Sequence, residues 1–175
     1  MTMRAVAEAL GLAPAALYRY VASRDELVRL MVDAALDDLL VPAPTGDPGD
    51  DLVALARAQL AALRRHPWLV EAISLVPPGR NGIRVLEAGL LVLDPLPSGG
   101  AAKLELLALV TGLVTLFARS GGDPAPGSVE AMAAAAPTHP HLAAAFAAPG
   151  APLRSQELLD RAVRALLAGL LPSAA

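Results

Sequence analysis

Apolar residues recur along this chain at helical spacing, and three such patterns follow one another with short breaks in residues 2 to 40. Val6, Ala7 and Leu10 share one face of the first, which Thr2 can cap and Gly11 can end. The second opens at Pro14, suited to a first helical turn because its missing N–H would have no intrahelical acceptor. The third follows "SRDE", where Ser23 as N-cap and Glu26 three residues later form a capping box. Leu27, Leu30, Met31 and Ala34 then supply its apolar stripe, and it is expected over 24–40. "VPAPTGDPGDD" (41–51) breaks the pattern and marks the expected module boundary. Further helices are expected over 51–65, from Pro67 to about Ser74, and over 81–93 and 101–119. Another spans 129–148, broken around Pro137 and Pro140, and the last spans 155–171, with "SGGDPAPGS" as a loop before 129. Period-two valine runs and internal repeats are missing, so the pattern predicts an all-α fold: a small module over 1–41 and a larger helical unit over 48–175.

Composition narrows the chemistry. Of 175 residues 55% are hydrophobic, enough for a large core, and much of that is alanine, which favours helix. The net charge of −3 confines any nucleic-acid contact to a local surface. With no cysteine there is no disulfide, thiolate metal site or cysteine nucleophile. The most apolar stretch, Leu106 to Ala118, has 13 residues against the roughly 20 that a bilayer span needs. The start "MTMRAVAEALG" has no signal-peptide pattern, so a soluble cytoplasmic protein without a membrane partner is the expectation.

Both tyrosines, Tyr18 and Tyr20, flank Arg19 on the short second helix. A helix-turn-helix needs a small residue inside its first helix, a glycine in the turn and an apolar set fixing the angle. Ala7, Gly11 and the set Val6, Leu10, Leu12, Leu17 and Val21 fit those places, though an ordinary αα-corner would use the same core. What a corner leaves unexplained is the outer face, Ala15, Ala16, Tyr18 and Arg19. Small residues there allow approach to a groove floor, tyrosine can reach a phosphate or a thymine methyl, and arginine can read guanine.

At these residues a family likeness emerges. "TMRAVAEALGLAPAALYRYVASRDELVRLMV" resembles the helix-turn-helix of the tetracycline-repressor (TetR) family of transcriptional regulators, most tellingly in "LYRYV" followed by the capped "SRDEL". The resemblance implies that the second helix of the motif reads DNA and that the capped third helix joins it to an effector-binding and dimerisation domain. It places Thr2, Arg4, Ala15, Ala16, Tyr18, Arg19, Tyr20 and Arg24 at DNA, with Thr2 and Arg24 on phosphate and Tyr20 partly packed beneath the reading surface. Looser likeness continues in "LAALRRHPWLVEAI", "PPGRNGIRVLEAGL" and "HPHLAAAFA". The chain departs from the family in having Ala13 where many relatives cap the recognition helix with Ser or Thr. The family also places a further helix ahead of Thr2. Over residues 1–24 three arginines face one glutamate, Glu8, so the basic footprint is thin. Without that helix the chain is expected to fold and dimerise but to bind DNA poorly, through either a late start or a truncated form.

Other candidates are less specific. His66 and Trp68 could line a ligand pocket, or else cap and pack a helix junction. Thr111 and Thr115, one turn apart, could bond to carbonyls of their own helix or point into a cavity. His139 and His141 do not share a helical face and have no acidic or thiol neighbour, so no metal is expected. Asp37–Asp38 and Asp50–Asp51 suggest a solvated helix end and a cap. No catalytic constellation and no cofactor motif is present, and no convincing histidine and asparagine set for a metal–tetracycline complex. The expectation is a homodimeric, ligand-responsive repressor that binds operator DNA and a small, largely apolar effector. Its rivals are a helical ligand-binding or dimerisation module without DNA binding and, more remotely, an enzyme on a helical scaffold.

Overall fold

The computed structural model describes residues 2–120, 126–147 and 155–171. Parts of the expected loop (121–125), of the expected helix ending at 148 and of the C-terminal unit (172–175) lie outside them, as does Met1. The described residues form α1 (Met3–Ala9), α2 (Pro14–Leu17), α3 (Arg24–Asp37), α4 (Pro48–Arg65), α5 (Leu69–Ala72), α6 (Arg80–Leu93), α7 (Gly100–Ser120), α8 (Ser128–Ala135), α9 (Pro140–Ala147) and α10 (Ser155–Leu170), with no strand among them. The fold is all-α. The 129–148 pattern breaks as expected, through a 3-10 turn at Ala136–Thr138 between α8 and α9. α3 ends at Asp37, short of the expected 40.

Two cores hold these helices. A small one gathers Met3, Ala7 and Leu17, with Val6 and Leu27 against it. The large one centres on α4, α7 and α10, and includes the fully buried Leu52, Leu106, Val114, Leu159 and Val163. α3 contributes to both: Leu27 near its start reaches the small core, while Val32, Ala35 and Leu36 further along enter the large one.

α7 runs unbroken for 21 residues, well beyond the 13-residue apolar run visible in the sequence, and by length and composition it could cross a bilayer. In this fold Leu106, Leu107, Val110, Val114 and Phe117 bury one side of it against the bundle. On another side Leu109 and Leu116, separated by Gly112, are half exposed. Ion pairs Arg57–Asp160 and Arg164–Asp50 tie α4 to α10.

The α4 entry differs from the expectation for the aspartate pair at 50–51. The cap is Asp47, whose side chain accepts from the Asp50 N–H at 2.7 Å, and the helix starts three residues earlier than expected. Asp51 is instead buried, accepting from the Thr45 N–H (2.8 Å), the Thr45 hydroxyl (2.7 Å) and the Gly46 N–H (3.0 Å). Donation from the Thr45 N–H, then from its hydroxyl, holds the Asp51 carboxyl below the usual carboxylate range, burial opposing the effect only in part. A depressed folded pKa contributes stability above the unfolded value, near 3.9, which is lost as pH falls through the folded value. Asp51→Asn is therefore expected to lower Tm at neutral pH and to flatten the fall of Tm below about pH 5. Thermal melts from about pH 7 to pH 3 check this; parallel curves for parent and variant would refute it.

Candidate DNA-reading module and effector cavity

The module at the N-terminus is set by its caps. Thr2 Oγ1 accepts from the Ala5 N–H at 3.3 Å and starts α1. α1 closes with the Leu12 N–H on the Ala7 carbonyl (2.8 Å) and the Gly11 N–H on that of Glu8 (3.0 Å). This is a Schellman pattern, and Gly11 supplies the required left-handed residue with φ +67°. The space around it is open, so backbone conformation and not crowding asks for glycine there. α2 starts on Pro14 with no side-chain cap from Ala13, and crosses α1 where Ala7 is wholly buried. Ser23 Oγ accepts from the Glu26 N–H at 3.1 Å, while Glu26 Oε2 accepts from the Ala22 N–H at 2.7 Å, one residue before the cap.

The outer face carries the candidate DNA contacts. Thr2, Arg4, Ala15, Tyr18, Arg19, Tyr20 and Arg24 are exposed and Ala16 is half-buried. Tyr20, expected to pack beneath this surface, is instead 78% exposed. α2 ends at Leu17, and the following turn, with the Tyr20 and Val21 N–H groups both on the Leu17 carbonyl, sends Leu17 and Val21 inward and Tyr20 out. Leu10 and Leu12 also fall outside the core expected for them, at 60% and 40% exposed, because they flank the left-handed Gly11 turn; Met3 takes the buried place. Arg24 lies 3.8 Å from the Asp25 carboxylate.

α3 is fastened by other helices along its C-terminal half. The Asp33 carboxylate accepts from the Asn81 N–H (2.8 Å) and the Gly82 N–H (3.4 Å), serving as the N-cap that α6 lacks in its own sequence. The Asn81 amide answers by donating to the Asp33 carbonyl at 3.0 Å. A Cβ at Gly79 would collide with the Asp33 carboxylate, so glycine is required for this approach. The last carbonyls of α3 are met by arginines from elsewhere: Arg84 donates to Leu36 (3.0 Å) and Arg65 to Asp38 (2.8 Å). None of Asp33, Asn81 or Arg84 stood out in the sequence. The available signal was α6 itself, a helix entered through Pro-Pro-Gly-Arg with no residue able to cap it.

Beside this fastening lies an apolar cavity of about 170 Å³. α3 lines it with Val32 and Leu36, the segment after α3 with Leu39, α4 with Gln59 and Leu63, and α7 with Leu107 and Thr111. Ile73, residues 76–78 and the start of α6, through Gly82, Val85 and Leu86, complete the wall. Of the four sequence candidates for a ligand site, Thr111 lines this cavity, and its hydroxyl also donates to the Leu107 carbonyl at 2.9 Å. Thr115 donates to Thr111 of its own helix (2.8 Å). His66 ends α4, its Nε2 buried 3.5 Å from the Asp38 carboxylate without a hydrogen bond. Trp68, edge-on to His66 at 6.4 Å, faces an open groove between α3 and α5 and is 42% exposed. No group of residues able to hold a metal ion occurs among the described residues.

A helix-turn-helix carried on a helical bundle with an internal apolar cavity defines the class. Residues 1–31 match the model of the bacterial regulatory proteins, tetR family, and the whole described chain has the fold of TetR-family proteins. It is 35% identical over 123 residues to the HTH-type transcriptional repressor DrrR1 of Streptomyces coeruleorubidus, covering 69% of this chain and 46% of that one. The chain thus spans about half the length of that relative. An HTH-type transcriptional regulator of Saccharopolyspora erythraea is 25% identical, with 99% and 77% covered. Among solved structures, the Streptomyces coelicolor TetR family protein ActR in complex with actinorhodin superposes with a TM-score of 0.77 at 26% identity, covering 97% and 86%. The same protein in complex with (S)-DNPA gives 0.80 at 25%, covering 98% and 87%. The first two relatives are named as HTH-type transcriptional regulators.

Proposed function

We propose that the chain is a ligand-responsive transcriptional repressor of the cytoplasm that binds operator DNA as a homodimer, with residues 1–41 as its DNA-binding domain and 48–175 for effector binding and dimerisation. One observation carries this: the helix that fixes the helix-turn-helix through Leu27 is the helix that walls the cavity through Val32 and Leu36. α2 and the turn after it would enter the major groove with Ala15, Ala16, Tyr18, Arg19 and Tyr20, while Thr2, Arg4 and Arg24 meet the backbone or base edges. An apolar molecule entering the cavity would press α3 from α6. With its C-terminal end held by Arg84 and Arg65, α3 would tilt at its N-terminal end and shift the reading elements. Selection from a random duplex library, followed by anisotropy titration, tests the reading; binding that ignores sequence refutes it.

The half-exposed Leu109, Gly112 and Leu116 face of α7 favours pairing with a second copy, helped by α10, as a four-helix arrangement about a two-fold axis. The two reading elements would then sit about 34–36 Å apart, one turn of DNA. Sedimentation is expected to show a dimer at micromolar concentration; a monomer there removes this part of the account.

The fastening of α3 makes its own prediction. Asp33→Ala leaves the first amides of α6 without their acceptor, and hydrogen bonds to a charged group are worth about 1.5–3 kcal/mol. Hydrogen exchange should quicken at Asn81 and Gly82 and Tm should fall, while Leu17 and Val21 keep their protection. Unchanged exchange at 81–82 would show that Asp33 does not cap α6.

A further inference from the structure

Gln59 is unusual among the residues around the cavity. Its amide makes no hydrogen bond to another residue, although the side chain is half-buried and lines the cavity wall. The other polar side chain there is Thr111, which spends its proton on the Leu107 carbonyl and so offers a lone pair. Among the described residues of the lining none is charged. We infer that the cavity selects a small, uncharged, largely apolar compound bearing one hydroxyl or carbonyl, read by the Gln59 amide. This rests on the reading of the cavity as the effector site.

The case against a charged ligand is structural. A helix N-terminus is the natural anion site of such a cavity, and Gly82 brings the start of α6 into its wall. There the Asn81 and Gly82 N–H groups are already taken by the Asp33 carboxylate, which adds a negative charge where an anion would settle. A cation fares no better, because that carboxylate is turned onto the 81–82 backbone and does not line the cavity. An ionised ligand would leave water for apolar walls with no partner charge, which is strongly unfavourable. A neutral hydroxyl or carbonyl meets Gln59, whose amide both donates and accepts. The volume also sets a scale: an apolar cavity of about 150 Å³ holds benzene. At about 170 Å³ this one suits a compound of the size of one or two rings.

Four probes on the full chain test the inference by calorimetric titration at about pH 7, where a phenol is neutral and a carboxylic acid ionised. They are 1-naphthol, 1-methylnaphthalene, 1-naphthoate and 1-naphthylmethylamine. Naphthol is expected to bind at least about 10-fold more tightly than either ion. Gln59→Leu should cut the preference for naphthol over methylnaphthalene by about 2- to 10-fold while leaving methylnaphthalene as tight or tighter. Thr111→Val provides a second variant with a smaller change in the same direction, should Gln59→Leu fold poorly. Naphthoate or the amine binding as well as naphthol overturns the inference. So does an unchanged naphthol-to-methylnaphthalene ratio in both variants, or no binding of any probe. If the ratios come out as stated but naphthol leaves DNA binding unmoved, the ligand class stands and the effector role fails.

Discussion

Arg19→Ala is expected to weaken binding to a selected duplex by on the order of 1–3 kcal/mol, roughly 5- to 150-fold, with helicity unchanged. Arg19 lies in the turn that follows α2, exposed and outside the small core, so its removal leaves Ala7, Leu17 and Val21 as packed as before. Tyr18→Ala should act in the same direction, since that ring is 52% exposed beside it. Two duplexes, the selected one and an unrelated one, separate base reading from phosphate contact. If Arg19 touches a base edge, the loss appears on the selected sequence and hardly on an unrelated duplex. If it touches phosphate, both duplexes lose alike and the slope of log affinity against log salt falls by about 1. Equal binding by parent and both variants in an anisotropy titration would remove the turn after α2 from the DNA surface.

The largest effect on stability is expected from Leu107→Ala. Leu107 is almost wholly buried, lines the cavity and packs where α6 crosses α7 at Gly89. Truncating a buried leucine costs about 2–5 kcal/mol, more where the surroundings cannot collapse. Here an existing void adjoins the site, so the removed volume adds to the cavity and the upper part of that range applies. The opposite change bears on the same contact. A Cβ at Gly89 would stand 2.6 Å from Leu107 Cδ2, so Gly89→Ala must push the leucine toward the cavity, at a cost of about 1–3 kcal/mol. Urea unfolding should rank the parent above Gly89→Ala and that above Leu107→Ala. A Leu107→Ala midpoint indistinguishable from the parent would mean that the helix crossing is not packed as described.

Much of this architecture is legible in the sequence because it is local. Ser23 with Glu26, Pro14 and Gly11 each act within a few residues, and each sits in the structure where its chemistry demands. The stripe expected on α3 does not: Leu30 and Ala34 are exposed and Val32, Ala35 and Leu36 are buried, because α3 packs against two cores on different faces. The face of Leu17 and Val21 follows from apolar spacing. Tyr20 escapes that logic, since the chain leaves the helix after Leu17 and helical spacing no longer sets which way the ring faces. The cavity was out of reach for a different reason. Its wall comes from separate helices, and whether Thr111 or Thr115 borders it depends on how α7 is rotated against α3 and α6, which no local pattern encodes. Asp33 is the sharpest case. It reads as an ordinary solvated residue on α3, and its role appears only when α6, 48 residues later, arrives without a cap. Asp51 is likewise hidden from local reading, because its partners Thr45 and Gly46 fold back over it from the preceding loop.

The central claim is that this chain reads DNA sequence through residues 2–24 as a two-fold pair. It is tested most directly by enriching a random duplex library on the full chain and titrating the enriched duplex against an unrelated one at the same salt. Specificity is the quantity to compare, because three arginines against Glu8 over residues 1–24 promise only a modest absolute affinity. The account predicts a two-fold-symmetric motif with half-sites about 10 base pairs apart, preferred at least about 100-fold over the unrelated duplex. No enriched motif, or equal affinity for both duplexes, would contradict it.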